Sequence, residues 1–117
     1  MKKRILSAML VIIVCAVFCA PTMGEATIWG AGGGNATKVW VEAESLIYDY
    51  LTVSFSVYMV VAGQEYLWNS ASGSGYGYTI RVTKNDNHYS GYYYNVYFTA
   101  TARDSHEQTS GSFSFKP

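Results

Sequence analysis

The sequence predicts an all-β protein, a small antiparallel β-sandwich of five to seven strands, and three observations carry that prediction. Residues 51–61 place Leu51, Val53, Phe55, Val57, Met59 and Val61 on one parity and Thr52, Ser54, Ser56 and Tyr58 on the other, the period of two of a strand with one buried face. Residues 92–103 repeat the pattern, with Tyr92, Tyr94, Val96, Phe98, Ala100 and Ala102 facing one way and Tyr93, Asn95, Tyr97, Thr99, Thr101 and Arg103 the other. Beyond residue 26 no amphipathic helix of useful length appears and no proline interrupts the interior, while Tyr, Val, Thr and Phe, which suit a pleated surface, are abundant.

Taken in order, the chain begins as an export signal. Lys2, Lys3 and Arg4 precede an apolar run at residues 5–20, shorter than the roughly 20 residues that a spanning helix needs. Gly24 and Ala26 supply the small side chains that a signal peptidase inspects, so cleavage is expected after Ala26 and no membrane span after processing. Residues 27–37 hold Gly30, Gly32, Gly33 and Gly34, and glycine at that density carries a large ordering entropy, so this stretch is expected to be a flexible arm ahead of a sandwich domain at 38–117. A first strand is expected at Val39 to Glu42 and a helical turn at residues 44–49. The long strand at 50–62 then closes on the turn Ala62-Gly63-Gln64-Glu65, and a short strand comes next at 66–69. Ser70 to Gly75 should break the sheet before a strand at 76–83, which the cluster Asn85-Asp86-Asn87 closes; Phe113 and Phe115 mark the last strand. The near-equal lengths of the two longest strands suggest that they are neighbours in one sheet. Phe55, Val57, Val96 and Phe98, central on the apolar parity, are the expected core; by the same parity Tyr76, Tyr78, Tyr92 and Tyr94 point inward.

The elements "LTVSFSVYMV" and "YLW", a Ser/Gly-rich gap and the run Gly91-Tyr92-Tyr93-Tyr94 leading into an alternating Val/Phe/Ala strand resemble small secreted proteins of unknown function from Firmicutes, over residues 48–104. More distantly, Tyr94 to Ala100 is similar to the sixth strand of fibronectin type III and other immunoglobulin-like sandwiches. That likeness implies a core packed by Tyr94, Val96 and Ala100.

Composition narrows the chemistry. The net charge is zero, with three of the eight basic residues in the first four positions, so the chain beyond the signal is weakly acidic and offers no basic patch for nucleic acid. Both cysteines, Cys15 and Cys19, fall in the apolar run, so the processed chain has no disulfide, thiol nucleophile or thiolate metal site. His88 and His106, each beside polar turn residues, are expected to be solvated loop histidines, since no nucleophile motif accompanies them. Glu42, Glu44 and Asp49 form the densest acidic group; paired carboxylates can bind calcium or hydrolyse a glycosidic bond, but the spacing of a calcium loop is absent, and a solvated strand edge and a following turn account for them. No catalytic residue, metal site or cofactor is therefore expected.

Tyrosine is the anomaly: there are 11, all beyond the signal. Tyr58, Tyr93 and Tyr97 lie on the outward parity and share a face if the two long strands pair, so they are the candidate binding residues, suited to sugar stacking or to a protein contact. The expected protein is a secreted, non-enzymatic binding module of the cell envelope or exterior. Its expected partner is a cell-wall glycan, mucin or surface protein. An alternative from another class is a secreted cysteine-free, bacteriocin-like antimicrobial protein.

Overall fold

The structure is a computed structural model that describes residues 28–117. The segment read as an export signal, residues 1–26, lies outside the described residues, as does Thr27. Five antiparallel strands form one sheet: β1 (Ile28–Gly34), β2 (Lys38–Val61), β3 (Gln64–Asn85), β4 (Tyr94–Ala102) and β5 (Glu107–Phe115). The order is β1-β2-β4-β5, with β3 on the remaining side of β2. No helix among the described residues is long and apolar enough to cross a membrane.

The sheet becomes sandwich-like because β2 and β3 belong to two layers each. The first half of β2 pairs with β1 through Val39↔Gly34 to Ser45↔Ile28, and its second half pairs with β4 through Leu51↔Ala102 to Met59↔Tyr94. Between the halves the β2–β3 register shifts from Glu44↔Thr79 to Asp49↔Gly77, a bulge that turns the corner. The chain curls so far that a Cβ at Gly73 would meet Val82, from the other half of the same strand, at 3.0 Å.

The all-β, antiparallel class expected from the alternation is thus the class observed, and three local expectations are corrected. Residues 44–49 are a bulge inside a strand, because the pairing on both sides of the corner demands extended backbone. Ser70 to Gly75 does not interrupt the sheet: every residue there pairs with β2, whose Phe55, Val53 and Leu51 face Ala71, Gly73 and Gly75 across the ladder. The glycine-rich stretch, expected to be a flexible arm, is strand β1. Its Gly30, Gly32 and Gly34 face Phe98, Phe113 and Phe115, whose rings lie where side chains would be: a Cβ at Gly30 would sit 2.7 Å from Phe98, and one at Gly34 2.6 Å from Phe115. The ordering entropy of the glycines is offset by aromatic burial from two other strands, β4 and β5, a contribution invisible in the local sequence.

The core lies between the layers. Val39, Val41 and Ala43 from one half of β2 meet Leu51, Val53, Phe55 and Val57 from the other, with Tyr94, Val96, Phe98 and Ala100 of β4; all are buried, including the four residues expected at its centre. Two connections are specified by local chemistry and a third by a distant side chain. Asn35 Oδ1 accepts from the amides of Thr37 (2.9 Å) and Lys38 (3.1 Å), closing the β1–β2 turn. Ala62 (φ 53°) and Gly63 (φ 78°) form the tight β2–β3 hairpin, a turn that needs positive φ at both positions. The β4–β5 turn is tied to the corner by Asp49.

Asp49 and His88 both depart from expectation. Rather than lying on a solvated edge, the Asp49 side chain is buried and accepts hydrogen bonds from the amides of Tyr50 (2.7 Å), Asp104 (2.8 Å) and Ser105 (3.0 Å) and from the Ser105 hydroxyl (2.8 Å). Burial by itself raises its pKa, but these hydrogen bonds outweigh that and hold the carboxyl below its ordinary value. His88 is likewise buried, against the rings of Tyr94 and Phe115. Its Nδ1 lies 2.9 Å from the carbonyl oxygen of Asn35, which can only accept, so Nδ1 carries a proton; its amide donates to Ala36 O at 2.8 Å. It fastens the 86–93 loop to the β1–β2 turn. His106 is exposed at the β4–β5 turn with φ 58°.

Candidate binding face

The second layer, formed by the first part of β3, the second half of β2, β4 and β5, has an outer face that no other part of the described chain covers. Strict alternation assigns its residues. On β2 they are the even positions from Tyr50 to Tyr58; the pairing aligns these with Tyr76, Ser74, Ser72 and Ser70 on β3 and with Thr101, Thr99, Tyr97 and Asn95 on β4. Each is exposed or half-exposed. The face is a set of rungs: Ser74-Thr52-Thr101-Gln108, then Ser72-Ser54-Thr99-Ser110, then Ser70-Ser56-Tyr97-Ser112. Between the larger side chains at either end lies a shallow depression of about 550 Å³ lined by Ser54, Ser56, Ser70, Ser72, Thr99 and Tyr97, together with Phe55 and Ala71 of the inward parity.

At one end stand the residues singled out from the sequence. The rings of Tyr58 and Tyr97 meet edge to face with centroids 5.6 Å apart. Tyr93 lies one step beyond β4, where the Val60 amide donates to its carbonyl at 2.9 Å, so it continues the same face. Its ring sits under Lys116 Nζ (5.1 Å) and stacks on neither of the other two tyrosines. Two of the three are therefore brought into contact, and the third flanks them. Glu65, just past the hairpin, reaches over this end. Its Oε2 accepts from the Tyr97 hydroxyl at 2.5 Å and from Asn95 Nδ2 at 2.6 Å. The Tyr97 bond, with that of Asn95, holds the Glu65 carboxyl below its ordinary pKa, and the same carboxylate raises that of the Tyr97 hydroxyl.

The opposite end holds a larger aromatic group that parity reading missed. Tyr50 and Tyr76 meet edge to face at 4.9 Å; Tyr48 stacks on Tyr76 at 6.1 Å and meets Tyr78 at 5.7 Å. Arg103 lies over Tyr50 at 4.6 Å, donates from Nη2 to the Tyr76 hydroxyl at 2.6 Å and pairs through Nε with Asp104 at 3.1 Å. The Tyr50 hydroxyl reaches Ser74 Oγ at 2.9 Å. Tyr76 and Tyr78, expected inside, are 57% and 58% exposed. They share the sequence parity of Ile80 and Val82, but the corner breaks that parity between Tyr78 and Thr79; the alternation Gly75-Tyr76-Gly77-Tyr78 is the available signal, with glycine on the inner side and tyrosine outside. Tyr92 is also exposed, in the loop before β4, whereas Tyr94 is buried as expected, its hydroxyl accepting from the Tyr89 amide at 2.7 Å. Trp29 and Trp40 belong to the first layer, where the pairing puts them on its outer side.

Glu42 and Glu44 are on that other layer as well, with Glu42 paired to Arg81 at 3.2 Å. Among the described residues no group of three or more His, Cys, Asp or Glu side chains is placed to hold a metal ion.

No protein-family model and no curated protein matches the chain. Among solved structures it is similar to the Bacteroides uniformis β-glucuronidase 2 covalently bound to cyclophellitol-6-carboxylate aziridine, at a TM-score of 0.41 and 11% identity, covering 76% of this chain and 13% of that one. The chain therefore corresponds to a small part of that enzyme's length, and a similarity of this size bears on neither its family nor its chemistry.

Proposed function

We propose that this protein is a secreted, non-enzymatic binding module of the cell envelope or exterior, whose partner docks on the outer face of the second layer. One observation supports this best: an uncovered face carrying Tyr58, Tyr93 and Tyr97 at one end and Tyr48, Tyr50 and Tyr76 at the other. Isolated surface tyrosines need no ligand, but exposed aromatic side chains gathered on one face of a small domain mark a contact surface. The export signal in the sequence supplies the location, and the weakly acidic remainder turns the choice of partner away from nucleic acid.

Changing Tyr58, Tyr93 and Tyr97 together to Ser tests the reading. The variant should be secreted with an unchanged near-ultraviolet circular dichroism baseline outside the tyrosine signal, and should attach more weakly to cell wall, mucin or surface protein. Undiminished attachment by a folded triple variant overturns it. Intact-mass measurement of the culture supernatant should find a chain starting at Thr27; a species retaining Cys19 or carrying lipid contradicts free secretion.

A further inference from the structure

We infer that the occupant of this face is an extended, uncharged polysaccharide chain, held by tyrosines at two separated ends and by serine and threonine hydroxyls between them; the inference rests on the binding-module reading above and names its ligand class. The distribution of polarity decides the class. A protein partner is met by an apolar centre inside a polar rim, and here the order is inverted. The centre of the face is the hydroxyl floor of Ser54, Ser56, Ser70, Ser72 and Thr99, and the aromatic groups stand at its ends.

Each floor hydroxyl is at once a donor and an acceptor, as is each hydroxyl of a sugar, so the two surfaces match without any fixed polarity. Side-chain length makes the depression: serines flanked by tyrosines leave a trough that a ring can enter, while the tyrosine faces at its ends offer stacking surface to the C–H faces of sugars. Charge points the same way. The rungs between Tyr50 and Tyr58 contain no ionisable side chain except the tyrosine hydroxyls. Of the charges that border them, Glu65 is engaged by Tyr97 and Asn95 and Arg103 by Asp104 and Tyr76, while Lys116 stands outside the rungs, over the ring of Tyr93. An acidic or basic ligand would find no free counter-charge on the floor.

Length is set by register. Tyr50 and Tyr76 share one rung, and Tyr97 shares that of Ser56, six residues along β2, a separation on the order of 20 Å at about 3.3 Å per residue. One sugar ring cannot touch both ends. Affinity should therefore rise with chain length until the two ends are bridged and then level off, since the second contact becomes intramolecular once the first is made.

The test is calorimetric titration of the full processed chain with cello-, xylo- and N-acetylchito-oligosaccharides from disaccharide to hexasaccharide, with polygalacturonate as the charged comparison. Three variants are used: Tyr97→Ala at one end, Tyr76→Ala at the other, and Ser54→Val, which fills the floor with a strand-favouring side chain and leaves both aromatic groups in place. The hexasaccharide of at least one neutral series should bind about tenfold or more tighter than its disaccharide, and each variant should weaken the hexasaccharide by about tenfold. Stronger binding of polygalacturonate than of every neutral series overturns the uncharged class. Affinity that does not depend on length, or that only one aromatic end affects, overturns the two-ended site. If no neutral series binds while the variants still lose attachment to cells, the glycan occupant falls and the binding module stands; if attachment is also unaffected by all three, both fall.

Discussion

Strands β1 and β3 are built from the same small residues, and the structure uses them in opposite ways. In β1, Gly30, Gly32 and Gly34 alternate toward the core, and the space where their side chains would stand is filled by Phe98, Phe113 and Phe115 from the other layer. In β3 the small residues Ala71, Gly73 and Gly75 also point inward, but nothing lies within 4 Å of a Cβ placed at Gly75, and the serines that alternate with them form the outer floor. The first run is small because a ring stands against each of its inward glycines. In the second, Gly73 is approached only by a Val82 methyl at 3.0 Å and Gly75 faces open space, behind a face of short polar side chains. Glycine density alone therefore carries no fixed structural meaning: what decides is whether a ring from a distant strand occupies the vacated volume.

Removing a ring should produce the largest effect. Phe98→Ala takes away the side chain that both Gly30 and Gly111 accommodate, and should cost roughly 3–5 kcal/mol in chemical unfolding through lost burial and a cavity between the layers. A variant as stable as the parent would mean that the glycine strand does not depend on its aromatic partners.

Filling the glycine side of the same contact comes next. Gly30→Val places a side chain against Phe98 and should cost about 1–3 kcal/mol by overpacking. Phe98→Leu in the same chain should return part of that loss, a coupling that a double-mutant cycle reads directly. Strict additivity of the two changes would indicate that glycine and ring do not share one space.

The corner gives a pH-dependent comparison. Asp49 sits opposite Gly77 and holds the β4–β5 turn with its pKa depressed. A carboxyl whose folded pKa lies below its unfolded value contributes stability that is fully present above the unfolded value, near 3.9, and is lost as pH falls through the folded one. Asp49→Asn should lower the melting temperature at pH 7 and flatten the fall in stability below about pH 4. An acid transition unchanged by the substitution would assign that loss to other carboxyls, of which Glu65 and Asp86 also have depressed pKa values.

The smallest effect is expected on β3. Gly75→Ala adds a methyl where there is open space and restricts the unfolded chain, so it should be neutral or stabilising by about 0.5 kcal/mol, in contrast to Gly30→Val in β1. A loss comparable to that of Gly30→Val would erase the distinction between the two strands.

By itself the sequence determined the all-β class, the buried parity of the two long strands with Phe55, Val57, Val96 and Phe98 in the core, and the hairpin turn at Ala62-Gly63, because side-chain alternation and turn geometry are local properties. It also placed Tyr58 and Tyr97 on one face, since alternation requires that once the two strands pair. Tertiary structure alone decided the rest. The fate of Gly30, Gly32 and Gly34 depended on rings some 70 to 80 positions away in the chain. The fusion of the short strands into β2 and β3 depended on a corner that only packing between layers justifies. That corner inverted the parity of Tyr76 and Tyr78 and so created the second aromatic end, and it drew Asp49 inside to bind a turn more than 50 residues on. Period-two reasoning holds only while a strand stays in one layer; a bulge that carries a strand from one layer to the next resets which side is inside.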